Sequence, residues 1–141
     1  MQLMNLSDNV SVAGQLEPAE VAGISEMGFD VLINNRPDFE VNDQPRSSDI
    51  ADAADRCGLR YYYYPVTSLD FPGSSYQAMN TLFGDSQAKT LAFCRSGTRS
   101  ANLWLASLED DIALAAAQEV SRLGIDPSMF LNMLKQGSRI W

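Results

Sequence analysis

Histidine is absent from all 141 residues of the chain. That removes Ser-His-Asp and Cys-His catalysis, and it removes the commonest ligand of catalytic zinc. Cysteine is nearly absent: Cys57 and Cys94 are the two present, too few for a disulfide framework. Basic residues are scarce, 10 against 18 acidic ones, giving a formal charge of -8. A field of that sign opposes non-specific binding to nucleic acid or anionic lipid, so neither is expected as a partner. No apolar run approaches a membrane span. The opening residues MQLMNLSDNV show neither the basic nor the apolar part of a signal peptide, so a reducing cytoplasm is the expected location. The sequence implies no metal and no organic cofactor.

What is present suits one soluble α/β domain over residues 1–141, with apolar residues at 45% and charged residues at 20%. Residues 9–13 read as a first strand. EPAEVAGISEMG (17–28) reads as a helix, with Pro18 at its start and Gly28 at its end. FDVLIN (29–34) follows as a buried strand and residues 35–47 as a loop. SSDIADAADRCG (47–58) places Ile50, Ala53, Ala54 and Cys57 on one stripe, with Ser48 as the expected cap and Cys57 in the core. LRYYYYPV (59–66) reads as a strand whose tyrosines alternate between faces, TSLDFPG (67–73) as a loop and residues 74–85 as a helix. KTLAF (89–93) is a third core strand, and helices are expected over 99–109, 111–123 and 127–135. This alternation predicts a largely parallel central sheet flanked by helices, with ligands bound beyond the carboxyl ends of its strands.

Cys94 stands at such a place, after KTLAF and before a helix, in the stretch AFCRSGTRSAN (92–102). A helix N-terminus and nearby arginines stabilise a thiolate and make it a nucleophile. The N–H groups of Arg95, Ser96, Gly97, Thr98 and Arg99 can turn inward as an anion cradle. Gly97 admits backbone angles that other residues avoid. Arg99 can offer a two-pronged donor to a tetrahedral oxyanion. Ser100 can hydrogen-bond the sulfur and ease its departure from a covalent intermediate. A core cysteine beside ordinary turn residues is the plainer alternative; the two arginines, Gly97 and Ser100 together favour the nucleophile. Trp104, on the helix after the loop, is expected in the core.

CRSGTRS resembles the anion-binding loop of the cysteine-dependent phosphatase and rhodanese families. The wider chain is similar to a bacterial family of phosphatase-like domains also found fused to metallo-β-lactamase-like hydrolases. VAGQLEP (12–18), GFDVLINNRPDFE (28–40), YYYYPVTS (61–68) and AFCRSGTRSANLW (92–104) carry the likeness, which extends over about residues 6–135. It implies a dual-specificity-phosphatase-like fold. It also implies a general acid on a loop before the cysteine, a place that Asp70 occupies here, with Asp38 and Glu40 as weaker candidates. Arg36 is read either as a second contact to the anion or its loop, or as an ion pair with Asp38 or Glu40.

The loop itself points two ways. Four residues separate Cys94 from Arg99, one fewer than in the phosphatases of that superfamily, and Phe93 stands where those enzymes carry histidine. The shorter spacing resembles single-domain rhodaneses. The expected activity is therefore hydrolysis of phosphate monoesters, on a small molecule or a protein, through a Cys94 phosphocysteine. Sulfur transfer from a sulfane-sulfur donor through a Cys94 persulfide is the second reading. A non-catalytic anion-binding module is the third.

Overall fold

The structure, a computed structural model, describes residues 2–137. Five strands form one sheet: β1 (Leu3–Asn5), β2 (Val10–Ala13), β3 (Val31–Asn34), β4 (Arg60–Tyr63) and β5 (Thr90–Phe93), in the order β1-β2-β5-β3-β4. All pairs are parallel except β1 with β2. Among the described residues six α-helices accompany it: α1 (Val21–Glu26), α2 (Ser47–Arg56), α3 (Tyr76–Phe83), α4 (Thr98–Ala106), α5 (Asp110–Arg122) and α6 (Ser128–Lys135). This is the expected architecture of a mostly parallel sheet between helices.

Alternation along the central strands divides the core into two layers. Leu32, Leu91 and Phe93 pack with Ile24 of α1 and Ile50 of α2 on one face. Val31, Ile33 and Ala92 pack with Met79, Leu103 and Phe130 from α3, α4 and α6 on the other. β5 lies at the centre, buried along its whole length. Its register aligns Phe93 with Ala13 on one side and Asn34 on the other. The carboxyl ends of three strands therefore meet where Cys94 begins.

Several local expectations shift. β1 was not predicted; Leu3–Asn5 is too short to carry periodicity and becomes a strand by pairing antiparallel with β2. The predicted helix over 17–28 opens with a 3-10 turn at Pro18–Glu20 before α1. Helix α2 begins at Ser47, not behind a Ser48 cap: the carboxylate of Asp38 accepts the Ser47 N–H at 2.8 Å. A carboxylate from a distant loop thus does the capping that a local hydroxyl was expected to do. The tyrosine strand ends at Tyr63 on the sheet edge. Tyr61 turns toward the α2 layer while Tyr62 and Tyr64 turn toward the other, each half-buried. Trp104 is buried, as expected, whereas Cys57, expected in the core, follows the last turn of α2 and is only half-buried against that layer.

Helix α4 anchors the loop from below. Ser100 through Ala106 are all buried. Asn102, fully buried, donates to the Thr98 and Asp126 carbonyls, both at 2.9 Å, and accepts the Phe130 N–H at 2.9 Å. Each of its polar atoms has a partner, so burial costs little and the first turn of α4 is fixed to the start of α6.

Candidate active site

The segment between β5 and α4 is held on both sides by its neighbours. Cys94 N–H donates to the Ala13 carbonyl at 3.3 Å, and Gln15 N–H donates to the Arg95 carbonyl at 3.2 Å. Gly14 allows that approach, because a Cβ there would lie 3.0 Å from the Arg95 carbonyl oxygen. Across β3, Asn35 N–H donates to the Phe93 carbonyl at 2.8 Å. Gly97 caps α4 in the left-handed region, with φ of 93°, which a side chain would disfavour. That turn aims the Gly97 N–H at Cys94 Sγ, 3.1 Å away.

Cys94 is almost fully buried, 1% exposed. It lies on a pocket of about 350 Å³ whose other walls include Glu40, Thr67, Ser68, Thr98, Arg99 and Met129. As in any α-helix, the N–H groups of the first turn of α4 have no acceptor within the helix and present positive potential. The pocket therefore combines a thiol, a helix N-terminus and a guanidinium.

Arg99 is fixed by backbone and by charge. Its Nη1 donates to the Val66 carbonyl at 2.9 Å and to the Asn35 carbonyl at 3.4 Å. Its ion pair with Glu40 spans 2.9 Å from Nη1 to Oε2, and Nη2 donates to Oε1 at 3.3 Å. Arg36, 4% exposed, donates through Nε to the same carboxylate at 2.9 Å and through Nη1 to Gln15 Oε1 at 3.0 Å. Arg36 thus forms the ion pair with Glu40 and reaches the loop through it. Burial pushes the Glu40 carboxyl up, but hydrogen bonds and charge from Arg99 and Arg36 outweigh it and hold the pKa below the ordinary carboxylate value.

The remaining predicted residues are placed as follows. Ser96 Oγ donates to Thr98 Oγ1 at 3.2 Å, and Arg95 and Ser96 are exposed at the rim. Ser100 is fully buried and its hydroxyl donates to Asn35 Oδ1 at 2.8 Å, so that proton is directed to Asn35 rather than to the sulfur. Asp70 stands in the loop that supplies Thr67 and Ser68 to the pocket. Its Oδ1 accepts from Thr67 N–H at 2.7 Å and from Thr67 Oγ1 at 2.9 Å. Asn35, Thr67 and Met129 were not singled out from the sequence. The adjacent polar pair at the end of an apolar strand, Asn34-Asn35, was a readable signal; Met129, on another helix, gave none.

A family model described as "Beta-lactamase hydrolase-like protein, phosphatase-like domain" matches residues 2–111. The chain belongs to this phosphatase-like domain family. Among curated proteins, it is 29% identical over 107 residues to a beta-lactamase hydrolase-like protein of Xylella fastidiosa. That match takes in 76% of this chain and 25% of the relative, so the chain spans about a quarter of the relative's length. Among solved structures, a candidate phosphatase from Neisseria meningitidis is 29% identical with a TM-score of 0.69, over 84% of this chain and 87% of that one. The kinase associated phosphatase, solved with its catalytic-site cysteine replaced by serine, gives a TM-score of 0.67 at 13% identity over 98% and 96%. The fold of this phosphatase-like domain is that of the dual-specificity and protein tyrosine phosphatases. Among the described residues, no helix is long and apolar enough to cross a membrane.

The Glu40 bridge gives a measurable pH dependence. Because its folded-state pKa is lowered, ionised Glu40 stabilises the fold fully above the unfolded value of about 4.3, and the contribution is lost as pH falls through the lower folded value. Glu40→Gln should therefore lie below wild type in denaturation midpoint by a constant margin above about pH 5, with the margin closing in more acid solution. A margin that persists unchanged into strong acid would mean that the charge of Glu40 does not stabilise the loop.

Proposed function

We propose that the domain is a cysteine-dependent phosphatase that hydrolyses phosphate monoesters through a phosphocysteine at Cys94. The observation that carries this reading is the Gly97 N–H directed at Cys94 Sγ, at the start of α4, in a pocket that also holds Arg99. Family membership favours phosphoryl transfer over sulfur transfer.

The substrate phosphoryl group sits over the first turn of α4. N–H groups of residues 95–99 and the Arg99 guanidinium take its non-bridging oxygens, where negative charge must be held through the transition state. Arg95, at the rim, adds attraction for the incoming dianion. Cys94 thiolate attacks phosphorus, an S–P bond forms and the P–O bond to the alcohol breaks. The departing oxygen takes a proton from Asp70. Water then attacks the phosphocysteine and gives its proton to the same carboxylate, releasing inorganic phosphate and the thiolate. Ser100 assists that second departure by turning its hydroxyl proton from Asn35 to the leaving sulfur. Arg36 acts at a remove, by holding Glu40 against Arg99. A nucleophilic thiol must stay reduced, which fits a reducing compartment.

Purified protein assayed in parallel with an aryl phosphate and with thiosulfate plus cyanide tests the reading. Phosphate release that is lost with Cys94 is the expected result. Thiocyanate formation without phosphate release would overturn it in favour of sulfur transfer. Turnover of neither, with phosphate still bound, would leave an anion-binding module.

A further inference from the structure

A second pocket opens beside the cysteine site. It has a volume of about 420 Å³, within the roughly 300–1,000 Å³ typical of small-molecule sites. The two pockets share Ser68 and Met129 as a common wall. Leu69, Phe71 and Pro72 line one side, from the loop after β4; Met129 and Met133 of α6 line the other, with the amides of Asn132 and Gln136. None of these side chains is charged. Leu69 is 97% exposed, so its whole side chain is left to water.

We propose that this pocket receives the alcohol part of the substrate, and that this part is uncharged and largely apolar. The inference rests on the phosphatase reading and names its substrate class. Three features support it. The shared wall lets one molecule place its phosphate at Cys94 and its remaining atoms between Leu69 and Met133. An apolar body there would cover side chains that otherwise face water, and a flexible thioether wall such as Met129 adapts to varied shapes. A polyphosphorylated substrate or an acidic phosphopeptide would need further cations beyond the first phosphate. The cations of the paired pockets, Arg95 and Arg99, both belong to the Cys94 loop, and the chain as a whole carries a charge of -8. Asp70 lies between Leu69 and Phe71 in sequence, so the loop that would grip the alcohol also carries the proposed proton donor for its oxygen.

Binding of n-alkylphosphonates, from methyl to octyl, to the Cys94→Ser variant measures this without turnover. Affinity should rise about two- to fourfold per added methylene over the first several carbons. Leu69→Ser, on a fully exposed side chain, should flatten that rise and leave methylphosphonate affinity unchanged. Amide shifts on adding octylphosphonate should extend to residues 68–72 and 129–136, and on adding methylphosphonate they should not. Equal affinity for methyl and octyl compounds, or a rise with no shifts in those segments, would overturn the proposal. If wild type releases phosphate from an aryl ester while the series is flat, the phosphatase reading stands and this inference falls. If the series rises but no ester is hydrolysed, the pocket assignment stands and the phosphatase reading falls.

Discussion

Cys94→Ser should lower phosphate monoester turnover by about 10⁴–10⁶-fold, the scale on which removal of an activated nucleophile acts. The substitution nearly preserves volume in a site that is almost fully buried. The Gly97 N–H that now meets Sγ at 3.1 Å can meet a hydroxyl instead, and Arg99 keeps its partners at Val66, Asn35 and Glu40. Phosphate binding should therefore survive while chemistry does not. The reason is ionisation: a thiol yields its anion far more readily than a serine hydroxyl, and the anion is the attacking species. Rapid acid quench of wild type in turnover should trap phosphate on the peptide that contains Cys94. Cys57→Ser is the control, since Cys57 packs against the α2 layer away from the pocket, and it should leave turnover within about a factor of two, as expected of a residue remote from the chemistry. Retention of near wild-type turnover by Cys94→Ser would remove the phosphocysteine from the mechanism.

The sequence carried the frame of this site and missed its bracing, for a physical reason. A short apolar strand, a glycine-bearing turn and a helix start are local features, so β5, the left-handed Gly97 and the start of α4 could be read from neighbouring residues. The carboxyl-edge rule then placed Cys94 correctly among the strands. Arg99 was identified, but its partners were not: Asn35, Glu40 and Val66 lie tens of residues away and meet it only through the β3-β5 and β3-β4 pairings. The same holds for Asp38, read as a weaker candidate for the acid or as a partner of Arg36, whose carboxylate instead accepts the N–H at the start of α2. Arg36 looked equally able to touch an anion or an acid, and only the fold buries it against Glu40. Ser100 was read as a partner of the sulfur, because Asn35 is invisible to any window around residue 100. Pairwise chemistry at short range was legible; whatever depended on which loops meet at the sheet edge was not.

The choice of acid leads to the second large effect, Asp70→Asn. Loss of a general acid typically costs about 10²–10⁴-fold, and that range should apply here to phosphates of alkyl alcohols, whose alkoxides leave poorly. Hydrolysis of p-nitrophenyl phosphate should fall much less, because that oxygen leaves without a proton. The structure makes asparagine a clean probe. Asp70 Oδ1 now accepts from the Thr67 N–H and hydroxyl, and an asparagine carbonyl can accept both, so the turn that sets Thr67 and Ser68 in the pocket wall should persist. What is lost is the proton. Glu40 is the rival acid on the pocket wall, but two arginines hold its carboxyl in the ionised form, which suits positioning of Arg99 and not proton donation. A leaving-group dependence that is the same in Asp70→Asn as in wild type would take Asp70, which lies beside the pocket rather than among the residues that line it, out of the reaction and require the proton to come from another group or from water.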